Sequence, residues 1–315
     1  MSVLIPFYPH PVVPVIISFN YKGGVGKTTT SRVLAQGVAD LPELNKGKPI
    51  LIVDLDPQAN TTRRWQLHRI NEDGSLVPKD HPALMEDDVK HSSICDLWLD
   101  VIGVREKPLV PVPYETSNPL IHVIPAHEEL MAEVMRVPRD EVVKLGRNMR
   151  KWLRDPALAE QYCAVVLDTQ PSKSSLIDAA LASATHAYIP FVPEPQSVDG
   201  VMSMIMYAGR YIKERREQQN DVPLRLVGLL PNMVQRTRLH NQHIKIIRDH
   251  EVFSKYLMPV KLHKLIGYAE TDDWRNSPDQ VTALDNTNIA LEAKKFVKYL
   301  WNDVMQDAEI LGGGA

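Results

Sequence analysis

One stretch limits what this chain can become: Tyr21-Lys22-Gly23-Gly24-Val25-Gly26-Lys27-Thr28-Thr29. It follows an apolar β-branched run, Val12 to Phe19, broken only by Pro14, and it leads into a helix-like pattern from Thr30 to Val38. Strand, glycine-rich turn and helix in that order are the setting of a phosphate-binding loop. Glycines let backbone N–H groups turn inward around an anion, and the helix N-terminus adds the positive end of its dipole. Gly23, Gly24, Val25, Gly26, Lys27, Thr28 and Thr29 would wrap the phosphates of a nucleotide. Lys27 would reach the β- and γ-phosphates, and the Thr28 hydroxyl would hold Mg²⁺. The plainer reading, an ordinary glycine turn, leaves Gly-Lys-Thr-Thr in this setting unexplained.

The loop departs from the ordinary pattern in two ways. Tyr21 stands where a glycine is expected, and Lys22 is an extra lysine at the loop entrance. Lys-Gly-Gly-Val-Gly-Lys-Thr-Thr resembles the deviant Walker A motif of the ParA/MinD family of dimerising ATPases. The resemblance implies that Lys22 crosses a homodimer interface to the partner's nucleotide. Without it, Lys22 would read as a solvated loop lysine.

Pro49 to Asp56 is a second apolar run, ending in two acids. A continuous run of this kind suits a parallel strand covered on both faces. Carboxylates at its C-terminal end point into the ligand crevice of a doubly wound sheet. Asp54-Leu55-Asp56-Pro57-Gln58-Ala59-Asn60 resembles the family's second motif. By that resemblance Asp56 positions the attacking water and Asp54 supports the Mg²⁺ environment; turn or capping aspartates are the alternative. Tyr162 to Pro171 is a hydrophobic strand ending in Asp168, a Walker B pattern in which Asp168 binds Mg²⁺. Gln170 departs from the family's usual proline in this switch segment. Leu224 to Leu230 reads as a strand, and the resemblance places the following Asn232 on the adenine ring.

Strands and helices alternate from 12 to 305, which predicts an α/β doubly wound, mainly parallel sheet flanked by helices. Further strands are expected at 120–126, 187–192 and 256–261, and helices at 128–136, 142–153, 196–217 and 291–305. The chain reads as a single P-loop ATPase domain over 1–315, with a proline-rich lead-in at 1–11, no N-terminal helix-turn-helix domain and a glycine-rich end. Residues 62–118 are the least readable part. Between 71 and 100 eight acids face two lysines, a balance of −6, and a short helix is expected over Ile94–Val101. This segment reads as a solvated acidic insertion, with a partner-docking surface as the alternative.

Composition narrows the class. At 44% hydrophobic and 24% charged over 315 residues, the chain can bury a real core. No run of about 18 apolar residues predicts a membrane span, and no secretory signal is evident. Cys95 and Cys163 have no metal spacing and read as reduced core residues of a cytoplasmic protein. The net charge is −3, so nucleic-acid binding needs a local patch. One exists: from 205 to 265 twelve Lys/Arg face five acids, a balance of +7. Arg210, Lys213 and Arg216 fall at helical spacing, and Arg236, Arg238, Lys245 and Arg248 follow. A segregated basic patch is an electrostatic footprint for phosphate backbone; a solvated helix face is the alternative. His240, His243 and His250 read as additions to this surface rather than metal ligands.

The function that the resemblance implies is that of a ParA-type partition ATPase with ATP and Mg²⁺. It would dimerise on ATP, bind duplex DNA without sequence preference, and hydrolyse ATP when stimulated by a centromere-binding ParB-type partner. It would segregate plasmid or chromosomal DNA as a nucleoid-associated protein. Alternatives are a related ATPase positioning a non-DNA cargo, a MinD-like membrane-surface ATPase, and a cofactor-biosynthesis transferase with the same loop. The membrane reading wants a basic amphipathic C-terminal tip, whereas Asp307-Ala308-Glu309 is acidic. The transferase reading does not call for the basic 205–265 surface.

Overall fold

A computed structural model describes residues 12–84, 90–217, 222–270 and 288–311. The lead-in at 1–11 and the glycines of the C-terminal end lie outside the described residues. The strands are β1 (Val15–Ser18), β2 (Ile50–Leu55), β3 (His68–Ile70), β4 (Leu76–Pro78), β5 (Tyr114–Glu115), β6 (Ile121–Ile124), β7 (Ala164–Thr169), β8 (His186–Phe191) and β9 (Arg225–Pro231). The helices are α1 (Lys27–Ala39), α2 (Pro42–Asn45), α3 (Asn60–Arg64), α4 (Glu128–Arg136), α5 (Val142–Leu153), α6 (Pro156–Gln161), α7 (Ser175–Ser183), α8 (Ser197–Glu217), α9 (Arg238–Asp249), α10 (Ile266–Glu270) and α11 (Asn288–Leu311).

Seven strands form one sheet in the order β5-β6-β2-β7-β1-β8-β9, and only β5 runs antiparallel to its neighbour. The apolar runs split by alternate residues between two cores, as strand geometry requires. Ile17, Leu51, Val53 and Val165 join α5, α7 and α8 on one face. Ile16, Ile50, Ile52 and Val166 join α1 and α11 on the other. The doubly wound expectation therefore holds. Its consequence is positional: the C-terminal ends of β1, β2 and β7 lie side by side, with Ser18 opposite Asp168 and Asp168 opposite Asp54. Among the described residues, no helix is long and apolar enough to cross a membrane.

Three expectations need correction. The first strand begins at Val15 rather than Val12; Pro14 lacks the N–H that a ladder needs. The expected strand at 256–261 is a single parallel bridge at Leu257, where Leu229 N–H donates to Tyr256 O at 2.7 Å and Met258 N–H to Leu229 O at 3.0 Å. The next rung would need an N–H from position 231, and Pro231 has none.

The third correction concerns 62–118, much of which is core rather than a solvated insertion. The expected helix at 94–101 is a 3₁₀ turn, Ile94–Trp98, closed by a Ser93/Asp96 capping box. Ile94, Cys95, Leu97 and Trp98 are buried in the α5-side core, and the indole N–H of Trp98 donates to Leu145 O at 3.1 Å. Asp96, counted among the surface acids, is buried and accepts from Ser92 Oγ at 2.5 Å. β3 and β4 make a separate antiparallel hairpin. Trp98→Ala should therefore cost about 3–5 kcal/mol of unfolding free energy, the range for emptying a buried tryptophan site. Urea unfolding measures it; a loss within about 0.5 kcal/mol, as for a surface substitution, would restore the solvated-insertion reading.

Candidate functional site

The glycine-rich loop joins β1 to α1 in the conformation its glycines permit. Gly24 and Gly26 have φ of +70° and +82°, a region that residues with a Cβ rarely enter. Gly26 is needed twice over, because a Cβ there would stand 2.3 Å from Asn232 Nδ2. That amide donates to Val25 O at 2.8 Å and ties the end of β9 to the loop. Val25 is buried, while Gly23 and Gly24 are exposed at the mouth.

Lys27 opens α1 and is 5% exposed. Its Nζ donates to Lys22 O at 3.2 Å, which closes the loop on itself. Burial lowers its pKa to about 8, against the attraction of Asp168 and then Asp56, which raise it. Asp168, at the end of β7, is fully buried. Its oxygens accept from Thr61 Oγ1 at 2.7 Å, from Ser31 Oγ at 3.3 Å and from the Thr28 side chain. Burial still holds its carboxyl above the usual carboxylate range.

Asp54, also fully buried, is raised first by burial and then by the charge of Asp168. Its oxygens accept from Thr62 N–H and Oγ1, at 2.8 and 2.7 Å, and from Asp56 N–H at 3.1 Å. Asp54 thus shapes the turn that carries Asp56. Asp56 is 6% exposed, accepts from Gln58 N–H at 2.9 Å, and is raised by burial.

The donor set near Thr28 and Asp168 is hydroxyl and carboxylate oxygen only, which suits a hard cation. Among the described residues no group of three His, Cys, Asp or Glu could hold a metal by itself. Mg²⁺ does not require one, since it typically takes one or two carboxylates plus substrate phosphates and waters. Burial raises both neighbouring carboxylates, and a cation beside them would offset that cost, so these residues fit the ion.

Lys22 points elsewhere. Its side chain is 44% exposed, and Nζ sits 2.7 Å from Glu194 Oε2. Tyr21, beside it, packs edge-on against Tyr207 of α8 with centroids 5.1 Å apart, and Lys173 Nζ lies 5.1 Å above its ring. Tyr207 also carries the Arg210 guanidinium at 5.2 Å. Gln170 is buried; its amide donates to Ser174 Oγ at 2.7 Å, the residue that caps α7.

The basic residues divide. Arg210, Lys213 and Arg216 on α8, Arg236 before α9, and Arg238, Lys245 and Arg248 on α9 are all exposed. Arg215 is not part of that surface: it is 3% exposed and donates to the carbonyls of Leu181, Ala184 and Val222. Nor does one of the histidines belong to it. His240 is 5% exposed and accepts from Gln235 N–H at 3.1 Å. His250 stacks on Phe253 at 3.9 Å and accepts from Val252 N–H at 3.2 Å. The sequence reading missed Glu194; nothing local marks it, because its partner lies 172 positions away.

A buried lysine with a pKa near 8 makes phosphate binding pH-dependent. Phosphate favours the charged lysine, which dominates below about pH 8. Affinity for ATP should hold steady up to that point and then fall by up to about tenfold per pH unit. Isothermal titration from pH 6.5 to 9.5 tests this; affinity that rises through pH 8 would remove Lys27 from the phosphate site. Lys27→Ala should bind ATP too weakly to titrate.

Comparison with known proteins agrees with this geometry. The profile of the AAA domain family matches residues 13–222. The chromosome-partitioning ATPase Soj of Thermus thermophilus is 31% identical over 232 residues, 73% of this chain and 74% of that protein. A replication protein A homologue of Sinorhizobium fredii is 27% identical over 254 residues; the match takes in 73% of this chain and 56% of that longer protein. The ATP complex of a Cyanothece McdA variant superposes with a TM-score of 0.64 at 13% identity, covering 97% of this chain and 99% of the other. At that identity the likeness bears on fold alone. The family match and the Soj relationship cover most of the chain, and the chain belongs to the ParA/Soj-type partition ATPases, a family of ATP-binding P-loop NTPases.

Proposed function

We propose that the protein is a DNA-partition ATPase that dimerises on binding ATP, holds duplex DNA without reading sequence, and releases it when a ParB-type partner stimulates hydrolysis. The observation that carries the reading is the direction of Lys22. Its backbone carbonyl completes its own loop through Lys27, while its ammonium leaves the loop and stays half exposed. A lysine so placed can serve another copy's nucleotide.

The chemistry is positioning and charge neutralisation rather than covalent catalysis. The loop N–H groups and Lys27 bind the phosphates. Thr28 and Asp168 would hold Mg²⁺, which supplies charge neutralisation on the phosphate oxygens when bound. Asp54 fixes the turn that presents Asp56. Asp56 orients water; even raised by burial, it is a weak base, so orientation describes its role better than proton abstraction. Asn232, just past β9, would meet the adenine by family likeness while its amide holds Val25 O, and Lys22 would enter from the second copy.

The DNA reading draws on the exposed arginines and lysines of α8 and α9. Helix α8 starts beside Glu194 at the site and runs 21 residues to its basic end. Pairing two copies doubles this surface, which makes polyanion binding depend on ATP with no new base-reading group. The plasmid-or-chromosome role, the partner and the nucleoid location follow family likeness. A non-DNA cargo remains the second reading, on the same ATPase site.

Two experiments separate these statements. Lys22→Ala should bind ATP yet fail to dimerise or turn over, whereas Asp56→Ala should collect as a slowly hydrolysing dimer; light scattering with ATP reads both. A Lys22→Ala protein that dimerises and hydrolyses normally contradicts the role in trans. For DNA, log affinity with ATP should fall linearly with log salt, by about 0.9 per phosphate engaged. Arg236→Ala with Arg238→Ala should weaken all duplexes alike and flatten the slope by about one unit per lost contact. Fluorescence anisotropy checks it: wild-type affinity in the double variant removes this face, and no binding at low salt by the ATP-bound protein favours the cargo reading.

A further inference from the structure

The lysine that points out of its loop already has a partner in its own chain. Lys22 Nζ donates to Glu194 Oε2 at 2.7 Å. Both carriers are held by backbone. The N–H of Lys22 donates to Asn20 Oδ1, and Asn20 Nδ2 donates to Pro190 O, each at 2.9 Å, which fastens the loop mouth to β8. Glu194 lies between Pro193 and Pro195, whose rings fix φ and stiffen the turn. Its N–H donates to Ser197 Oγ at 3.0 Å, and its carbonyl accepts Ser197 N–H at 2.9 Å. The ion pair is thus delivered by the ends of two neighbouring strands, β1 and β8. The hydrogen bond from Lys22 holds the Glu194 carboxyl below its ordinary range.

Two positions of Lys22 exclude each other. An ammonium on Glu194 of its own chain cannot also lie on the phosphates of a second copy. We propose that Glu194 is a positioning residue: it restrains Lys22 in the single chain and yields it when a second, nucleotide-loaded copy of this chain presents its phosphates. The proposal rests on the reading of Lys22 as acting in trans.

The magnitudes suit a threshold rather than a lock. Both side chains are nearly half exposed, at 44% and 46%, so water and salt screen the pair. An exposed pair of this kind shifts an equilibrium by up to about fivefold. A polyphosphate with several charges outcompetes one carboxylate for the ammonium. Once Lys22 leaves, water can still solvate Glu194, so the exchange strands no buried charge. The restraint raises the protein concentration needed for pairing without preventing it, since a ligand moves an equilibrium only by its differential affinity for the two states.

The test is the concentration of full-length protein at half-dimerisation with ATP, read by light scattering for wild type, Glu194→Gln, Glu194→Ala and Lys22→Ala, at low and high salt. Glu194→Gln and Glu194→Ala should both dimerise at about two- to twenty-five-fold lower protein concentration at low salt, because each dimer releases two such pairs, and the gap should close at high salt. ATP affinity measured well below the dimerisation range serves as the control for site integrity. An unchanged or higher threshold in both Glu194 variants overturns the restraint, as does a gap that salt does not reduce. The Lys22→Ala arm separates the two ideas. If it fails to dimerise while Glu194→Gln matches wild type, only the restraint is wrong. If it dimerises like wild type, the role in trans is wrong and the restraint falls with it.

Discussion

The site depends on one buried cation set against neighbouring buried carboxylates. Lys27 lies within the Coulomb field of Asp168 and Asp56, while Asp54 stands in register beside Asp168 on the next strand. Burial works against every one of these charges, lowering the lysine and raising the acids. Desolvated charges that are only partly compensated are costly, and the hydroxyls of Thr28, Ser31, Thr61 and Thr62 offset part of that cost. What remains is a cluster at the strand ends suited to a polyanion and a hard divalent cation together. The parallel sheet exists, in this sense, to bring the ends of β1, β2 and β7 into that arrangement.

The neighbouring elements then gain their roles from where they begin. β8 ends at the turn that carries Glu194, and α8 starts there and extends to the exposed Arg210, Lys213 and Arg216. β9 ends at Asn232, whose amide grips Val25 O, and α9 follows with Arg238, Lys245 and Arg248 outward. The phosphate loop and both basic helices are therefore attached to adjacent strands of one sheet, with the Tyr21–Tyr207 contact as an additional bridge. A surface built this way gives the proposed ATPase a direct physical path between pairing of copies and the area offered to a polyanion.

Much of this is legible in the sequence. Glycine spacing, apolar runs ending in acids and the order of elements locate Lys27, Asp54, Asp56 and Asp168, because those signals are local and tied to strand ends. Signals that depend on distant partners are not. The −6 balance of 71–100 hides Trp98 and its neighbours, since a run of acids outweighs a short buried 3₁₀ turn. Charge counting places Arg215 with the surface residues, whereas its guanidinium satisfies three backbone carbonyls inside the core. His240 likewise works at the start of α9 rather than outside it. The strand expected at 256–261 stops at one bridge because the next rung needs an N–H that Pro231 of β9 lacks. Glu194 carried no local signal at all, and only the fold brings it to Lys22.

The central claim is that each site is completed by a lysine from the other copy. Mixing Lys22→Ala with Asp56→Ala tests it most directly, because each variant alone lacks one part of every site. In a mixed dimer, the nucleotide on the Lys22→Ala chain keeps its own Asp56 and can receive Lys22 from its partner. If the lysine acts in trans, ATPase activity should return when the two are mixed before ATP is added, in proportion to the mixed dimers formed, each of which carries one complete site of two. If Lys22 serves its own chain's nucleotide, no mixed site is complete, and a mixture no more active than the average of its components would contradict the account.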